Sequence, residues 1–464
     1  MRTTATRWRL LAVAGVVGLL AAACGGGTSG VPTAADGDGS EADGAAAAGV
    51  VDADPSGQAL DLARFFGDCD DTTQGVTDVA EATSECEVVQ ILTNAFNADN
   101  DHGITIERLG GSEWGTYYDT LNTTFAGGSQ PDVAVMHGSN LPDYLGRDLL
   151  LPLNDYLDAV GIDSDDWTES ARAAVSGPDG TIYGVPFDLH ANLFHLNMEI
   201  MEEAGLVDDN GDPILPSSPE EFFEHAEAVE AAGYRYLATD AAQFPIGVRI
   251  LFSLVWQQGS DLVSADGVAT IDTDEAREAL EFVNRLFDEG HAVATEDYTA
   301  SQESFLTGKV AVLHNGTWAV DQYTREADFD YRVADFPTIY DEPAVWANSH
   351  LWVVPRSGDE DPAGYRAALE YLRFLNDHTA DWAAGTGHLA PSLSGLASEV
   401  VQSAPQRQNY EATATTVARQ VPAIPNWQAV EDILKEEFES TWLTGKTVER
   451  ALADAQSRVD EVLS

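Results

Sequence analysis

The chain has almost no lysine. Its only lysines are Lys309, Lys435 and Lys446, and all its basic residues together number 23 against 78 acids. The resulting net charge of −55 repels nucleic acid and anionic lipid headgroups, so neither is expected to bind the folded chain. A saline habitat and an acidic-biased proteome both produce such a surface. Long apolar runs are scarce too. The stretch 10–20 is too short for a settled transmembrane helix. Signatures of catalysis are missing: there is no G-x-S-x-G, no H-E-x-x-H and no G-x-G-x-x-G, and Thr307-Gly308-Lys309 lacks the first glycine and the spacing of a phosphate-binding loop. An enzyme is therefore not expected, and no cofactor is implied. His190 and His195 lie five apart on an expected strand, so they point to opposite faces and cannot share one metal ion. No metal set is assigned.

What is present begins with an export signal. Arg2, Arg7 and Arg9 precede the apolar stretch, which ends in Leu20-Ala21-Ala22-Ala23-Cys24. This resembles a bacterial lipobox, which makes residues 1–23 a lipoprotein signal peptide and Cys24 the lipidated N-terminus. The pattern prefers Leu where Ala21 stands; an ordinary signal peptide is the alternative. Residues 24–57, rich in Gly, Ala and Asp, read as a flexible acidic tether. With Cys24 assigned, Cys69 and Cys86 form an even pair in an exported chain. A disulfide is the expected reading, with two free thiols as the alternative.

Beyond the tether, strands and amphipathic helices alternate. Residues 60–66 and 104–107 read as strands around a helix over 86–97 with Val88, Val89, Leu92 and Phe96 at helical spacing. That βαβ order predicts a parallel sheet. Ser218-Pro219-Glu220-Glu221 is a helix start with an N-cap, Pro at N1 and a capping-box Glu. A further helix is expected over 274–288. The acids at 208–212 lack the spacing of a calcium loop and read as a solvated turn. Residues 305–320, FLTGKVAVLHNGTWAV, close a helix, form a buried strand and end in His314, Asn315, Gly316, Thr317 and Trp318. In open α/β sheets that strand end is where ligands bind. His314 can equally be a core residue.

The helix, the G-K-V-A-V strand and the N-G-T-W that follows it resemble the extracellular solute-binding proteins that feed bacterial ABC importers, in the sugar-binding branch to which maltose-binding protein belongs. Further matches are A-G-G-x-x-P-D-V at 126–133, the Y-G-V-P segment at 183–186, and the C-terminal helix carrying Leu452, Ala455 and Val459. The likeness spans nearly everything from Leu60 to Leu463. It implies an α/β, type II periplasmic-binding-protein-like fold, each of its two lobes a sheet flanked by helices, with a ligand cleft between them. The implied N-terminal lobe is 58–187 plus 315–349 and the C-terminal lobe 188–314 plus 350–464, with crossings near 185–190, 313–317 and 345–354. The implied function is capture of a sugar or oligosaccharide for a membrane permease. The chain is expected to be monomeric, exported and held to the outer face of the cytoplasmic membrane by its lipid anchor alone. A polyol, a peptide, an anion or another small solute on the same fold, and a secreted carbohydrate-active hydrolase, are the alternatives.

Sugar recognition needs an apolar platform for the C–H face of a pyranose and polar groups for its hydroxyls. Trp318, Trp256 and Trp346 are the candidate platforms. Asp188, His190, His137, Asn348, His350 and His388 are the candidate polar contacts. Asp188 and Trp318 lead, because resemblance and strand-end geometry agree on them. Trp256 and Trp346 each have a competing place in the core.

Overall fold

The computed structural model describes residues 48–110, 114–357 and 361–464. Cys24 and the signal segment lie outside the described residues. The expected tether ends earlier than Gly57: Val50 is buried in a hydrophobic core, and the Val51 carbonyl accepts a hydrogen bond from Arg366. Among the described residues no helix is long and apolar enough to cross a membrane.

In chain order the strands are β1 (Ala59–Ala63), β2 (Thr105–Arg108), β3 (Val133–His137), β4 (Gly184–Pro186), β5 (His190–Asn197), β6 (Arg235–Ala238), β7 (Val310–Gly316), β8 (Tyr331–Asp335), β9 (Val345–Asn348), β10 (His350–Val353) and β11 (Ala418–Gln420). They form two sheets. The first has the order β2-β1-β3-β10-β4; the second has β11-β9-β5-β7-β6, with β8 also on β5. β1 lies parallel to β2 and β3, as its βαβ order requires, while β10 returns antiparallel between β3 and β4. Helices cover both sheets through apolar faces. Glu85–Asp99 starts at Ser84, whose hydroxyl accepts from the Glu87 N–H, and buries Val88, Val89, Leu92 and Phe96. At Pro219–Ala231 Ser218 caps as expected, but the Glu221 carboxylate reaches back to Ser217 rather than to the cap residue.

Two cores follow, one per sheet. The first gathers residues from Val50 to Phe187 and again from Leu351 to Trp382; the second gathers Leu189 to Ala347 and Leu389 to Val459. The chain passes between them at Phe187-Asp188-Leu189, where β4 gives way to β5, and at Ser349, where β9 gives way to β10. The expected crossing at 313–317 does not occur. β7 stays hydrogen-bonded to β5 as far as Asn192 opposite Gly316, and Val320 and Tyr323 pack in the second core. Residues 315–349 therefore pack with the second sheet, and Leu351–Trp382 with the first, the reverse of the expected assignment. The third passage lies after the helix Thr379–Thr386, where Leu389 exchanges backbone hydrogen bonds of 2.9 Å with Leu189. Gly387 makes that turn at φ +97°. A Cβ there would lie 2.4 Å from the Thr317 carbonyl and 2.7 Å from Val320, so only glycine fits.

Candidate functional site

The C-terminal ends of strands from both sheets meet over these passages. His137 ends β3 and His350 opens β10 directly opposite it. Phe65 and Phe66 follow β1 and pack on them: Phe65 stacks on His137 at 4.8 Å, and Phe66 sets its edge to His350 at 5.2 Å. From the second sheet, His190 opens β5 with its ring stacked on His350 at 4.1 Å. Trp318 sits on the single turn after β7, its indole N–H donating to the Tyr298 hydroxyl at 2.9 Å. Arg249 is the one charged residue of the buried helix Ile246–Gln257 and lies 3.7 Å over the Trp346 ring. At the rim Trp114 of the first lobe meets Phe244 of the second edge-on at 5.0 Å. These groups enclose a cavity of about 230 Å³. A smaller one of about 190 Å³ adjoins it past His137 and Arg249 and is bounded by Trp346, Asn348 and Glu431.

Asp188 stands behind this wall. It is fully buried, and its carboxylate accepts from His190 Nδ1 at 3.0 Å, His350 Nδ1 at 2.8 Å, the His350 backbone N–H at 3.2 Å and the Trp382 indole at 2.8 Å. Burial opposes its charge. The neighbouring His350 and His388, with the hydrogen bonds from His190 and His350, nevertheless hold its carboxyl well below the usual range. The histidines respond individually. Burial, reinforced by His350, pushes His137 well below its ordinary value and His190 down to about 3. His388 goes the other way: burial would lower it, but Asp188 and a 2.7 Å contact with Glu85 raise it.

The expected site residues therefore divide. His137, His190, His350, His388 and Trp318 line the main cavity. Trp346 and Asn348 line the adjoining one, Asn348 with its amide on the Ser139 hydroxyl at 2.9 Å. Asp188 is not at the surface of either, because its oxygens are taken by protein donors. Trp256 belongs to the second core, its indole N–H on Asp261 at 2.9 Å and its ring against Phe252. Phe65, Phe66, Trp114, Phe244, Tyr298 and Arg249 were not singled out from the sequence. Arg249 carried a usable signal, being the one charge in an apolar helix. Phe65 and Phe66 had a weaker one, their position just past a strand's C-terminal end.

Residues 92–409 match the profile of a family described as bacterial extracellular solute-binding protein. The chain is 21% identical over 404 residues to the sn-glycerol-3-phosphate-binding periplasmic protein of Escherichia coli, covering 81% of this chain and 89% of that one. An arabinooligosaccharide-binding protein of Halalkalibacterium halodurans is 32% identical over 166 residues, 35% of this chain and 34% of the relative. Among solved structures, the GacH receptor of Streptomyces glaucescens, determined unliganded and with acarbose, superimposes with a TM-score of 0.73 at 17% identity, covering 88% of this chain and 98% of that one.

Proposed function

The chain belongs to the bacterial extracellular solute-binding proteins, and from that premise we propose that it captures a small sugar or sugar-like solute between its lobes and delivers it to the permease of an ABC importer. The observation that carries this reading is the composition of the cleft. Aromatic faces from both lobes enclose about 230 Å³, with imidazole nitrogens and a guanidinium among them. A pyranose presents flat C–H faces and a rim of hydroxyls, which such a lining suits. Trp318, fixed by its bond to Tyr298, is the platform. A solute touching both lobes binds the closed arrangement better than an open one, and so shifts the protein towards closure. The names of the arabinooligosaccharide-binding relative and the acarbose-bound receptor support a carbohydrate. Binding without catalysis is the activity proposed, with Cys24 as lipid anchor; a Cys24→Ser chain should then be released to the medium.

Arg249 favours a second reading, a solute with an anionic group such as a phosphate monoester. Its nearest carboxylate, Glu431, is 4.0 Å away, which leaves the guanidinium available to the cleft. The name of the Escherichia coli relative points the same way. A thermal-shift panel of sugars, polyols, glycerophosphates and amino acids, followed by calorimetry, separates the two readings. Trp318→Ala should weaken sugar binding about tenfold or more. Arg249→Gln should abolish binding of an anionic solute and spare a neutral one. Unchanged affinity in both folded variants would move the site out of this cleft.

A further inference from the structure

Three imidazoles converge in the cleft wall. One ring nitrogen from each of His137, His190 and His350 lies within 4.8 Å of the other two, and all three residues are buried. They come from three strands and both lobes, so neither the local sequence nor a single hairpin explains their meeting. The hydrogen bonds fix which nitrogens stay free to take a metal ion. An ionised Asp188 can only accept, so His190 and His350 present Nδ1–H to it and keep the lone pair of Nε2. The Nδ1 of His137 is paired with the Tyr118 hydroxyl at 2.7 Å. Among the described residues, no hydrogen bond uses any of the three Nε2 atoms. Solute hydroxyls need a mixture of donors and acceptors; three neutral imidazole nitrogens this close together suit a cation.

We propose that His137, His190 and His350 bind a divalent transition-metal ion of the zinc class through their Nε2 atoms, with a fourth position open to the cavity. Imidazole is a preferred ligand for such borderline ions, and three protein ligands with one open position is the arrangement of zinc sites that exchange an outer ligand. Asp188 plays the part of the carboxylate that orients metal-bound histidines from behind and supplies buried negative charge. It engages two of the three rings at once. Metal–nitrogen bonds of about 2.0–2.1 Å place the nitrogens about 3.3 Å apart, so binding needs His190 and His350, stacked at 4.1 Å, to turn out of their stack until both lone pairs meet at the ion. The open position faces the space lined by Arg249, which fits an outer ligand with an oxyanion able to touch metal and guanidinium together. The site needs no particular solute, so it stands or falls apart from the sugar reading.

The test uses the mature chain, stripped with EDTA and given metal alone. Equilibrium dialysis against Zn²⁺ should find one tightly held ion per chain, and Co²⁺ should give the visible spectrum of a four-coordinate nitrogen site. His137→Gln, His190→Gln and His350→Gln should each weaken Zn²⁺ about a hundredfold, and Asp188→Asn should weaken it about 10- to 100-fold as a positioning residue. His225→Gln, outside the cleft, should change nothing. Mg²⁺, which prefers oxygen ligands, should not compete. Solute-free melting curves identify variants that fold. His137→Gln, whose ring bonds only a tyrosine, keeps the test open if those facing Asp188 fail. Absence of a tightly held ion in the wild-type chain, or Zn²⁺ retained with wild-type affinity in a folded His137→Gln variant, would overturn the proposal.

Discussion

Asp188 shows how far one residue's role depends on what surrounds it. From the sequence it was a polar group for a solute's hydroxyls; in the structure protein donors occupy both of its oxygens. Removing it strands two histidine donors and an indole N–H in a buried place. Asp188→Ala should therefore cost about 3–5 kcal/mol of stability in the solute-free protein, seen in chemical denaturation. A variant as stable as wild type that had lost only affinity would return Asp188 to the role of direct ligand. His195 and His314 give a second test at this scale. Both are buried away from the cleft and pushed down to about 3 by burial. In the unfolded chain they charge below about 6.5, so between 6.5 and 3 the unfolded state binds more protons. Their contribution is complete above that window and is lost as the pH falls through it, by up to about 1.4 kcal/mol per pH unit for each ring. Unfolding free energies measured from pH 7 to 4 should show a shallower acid slope, by about two protons, in the His195→Gln, His314→Gln double variant. Equal slopes would mean that the two rings charge in the fold.

The turn after β7 is a small device for aiming Trp318. Gly316 has ordinary extended backbone, but a Cβ on it would lie 2.0–2.3 Å from the indole, so the ring fits only because the side chain is missing. Gly316→Ala should swing the indole aside and weaken the solute identified in the panel about as much as Trp318→Ala, roughly tenfold, with the strand pairing intact. Calorimetry on both variants checks this; wild-type affinity in Gly316→Ala would show that the indole pose is not needed. The helix Glu85–Asp99 has its own constraint, the Cys69–Cys86 disulfide at its first turn. Opening that short loop should cost about 3 kcal/mol in a Cys69→Ser, Cys86→Ser chain, and thiol titration of the unfolded, unreduced protein should find neither sulfur free. Elements with caps and one apolar face were legible from sequence: Asp274–Asp288 was read with its correct ends, and Thr273 caps it. In elements buried all round, the residue that faces the site was not. Ile246–Gln257 is buried along its whole length, so periodicity could not tell that Arg249 faces the cleft and Trp256 the core. The segment from Val345 to Val354 holds two strands, β9 and β10. Its two halves belong to different sheets, which agrees with the crossing expected near 345–354; the polar triplet Asn348-Ser349-His350 marks the change.

At the scale of the molecule, the two-lobed plan was readable because each lobe repeats the alternation of strand and helix, and because the motifs came in a family order. The distribution of segments between lobes was misread, since a strand end with ligand-type residues looks alike whether the chain then crosses or turns back. Charge, by contrast, is wholly a property of the sequence. At −55 the molecule works against its own compactness, and closing the cleft brings two acidic lobes nearer. The opposing contribution comes from ion pairs such as Arg108 with Asp68 and Asp70, or Arg458 with Glu436 and Glu437. Salt screens both: the Debye length falls from about 30 Å at 0.01 M to about 3 Å at 1 M. The pairs act over hydrogen-bond distances and with only 23 basic residues they are outnumbered, whereas the repulsion is long-ranged and summed over 78 acids. Screening should therefore remove more repulsion than attraction. The melting temperature of the solute-free protein should rise by several degrees between 0.01 and 1 M NaCl, at the ionic strengths where screening shortens most. Potassium chloride should act alike, since screening depends on ionic strength and not on the identity of the cation. A flat or falling curve would mean that the exposed ion pairs outweigh the self-repulsion of the acidic surface.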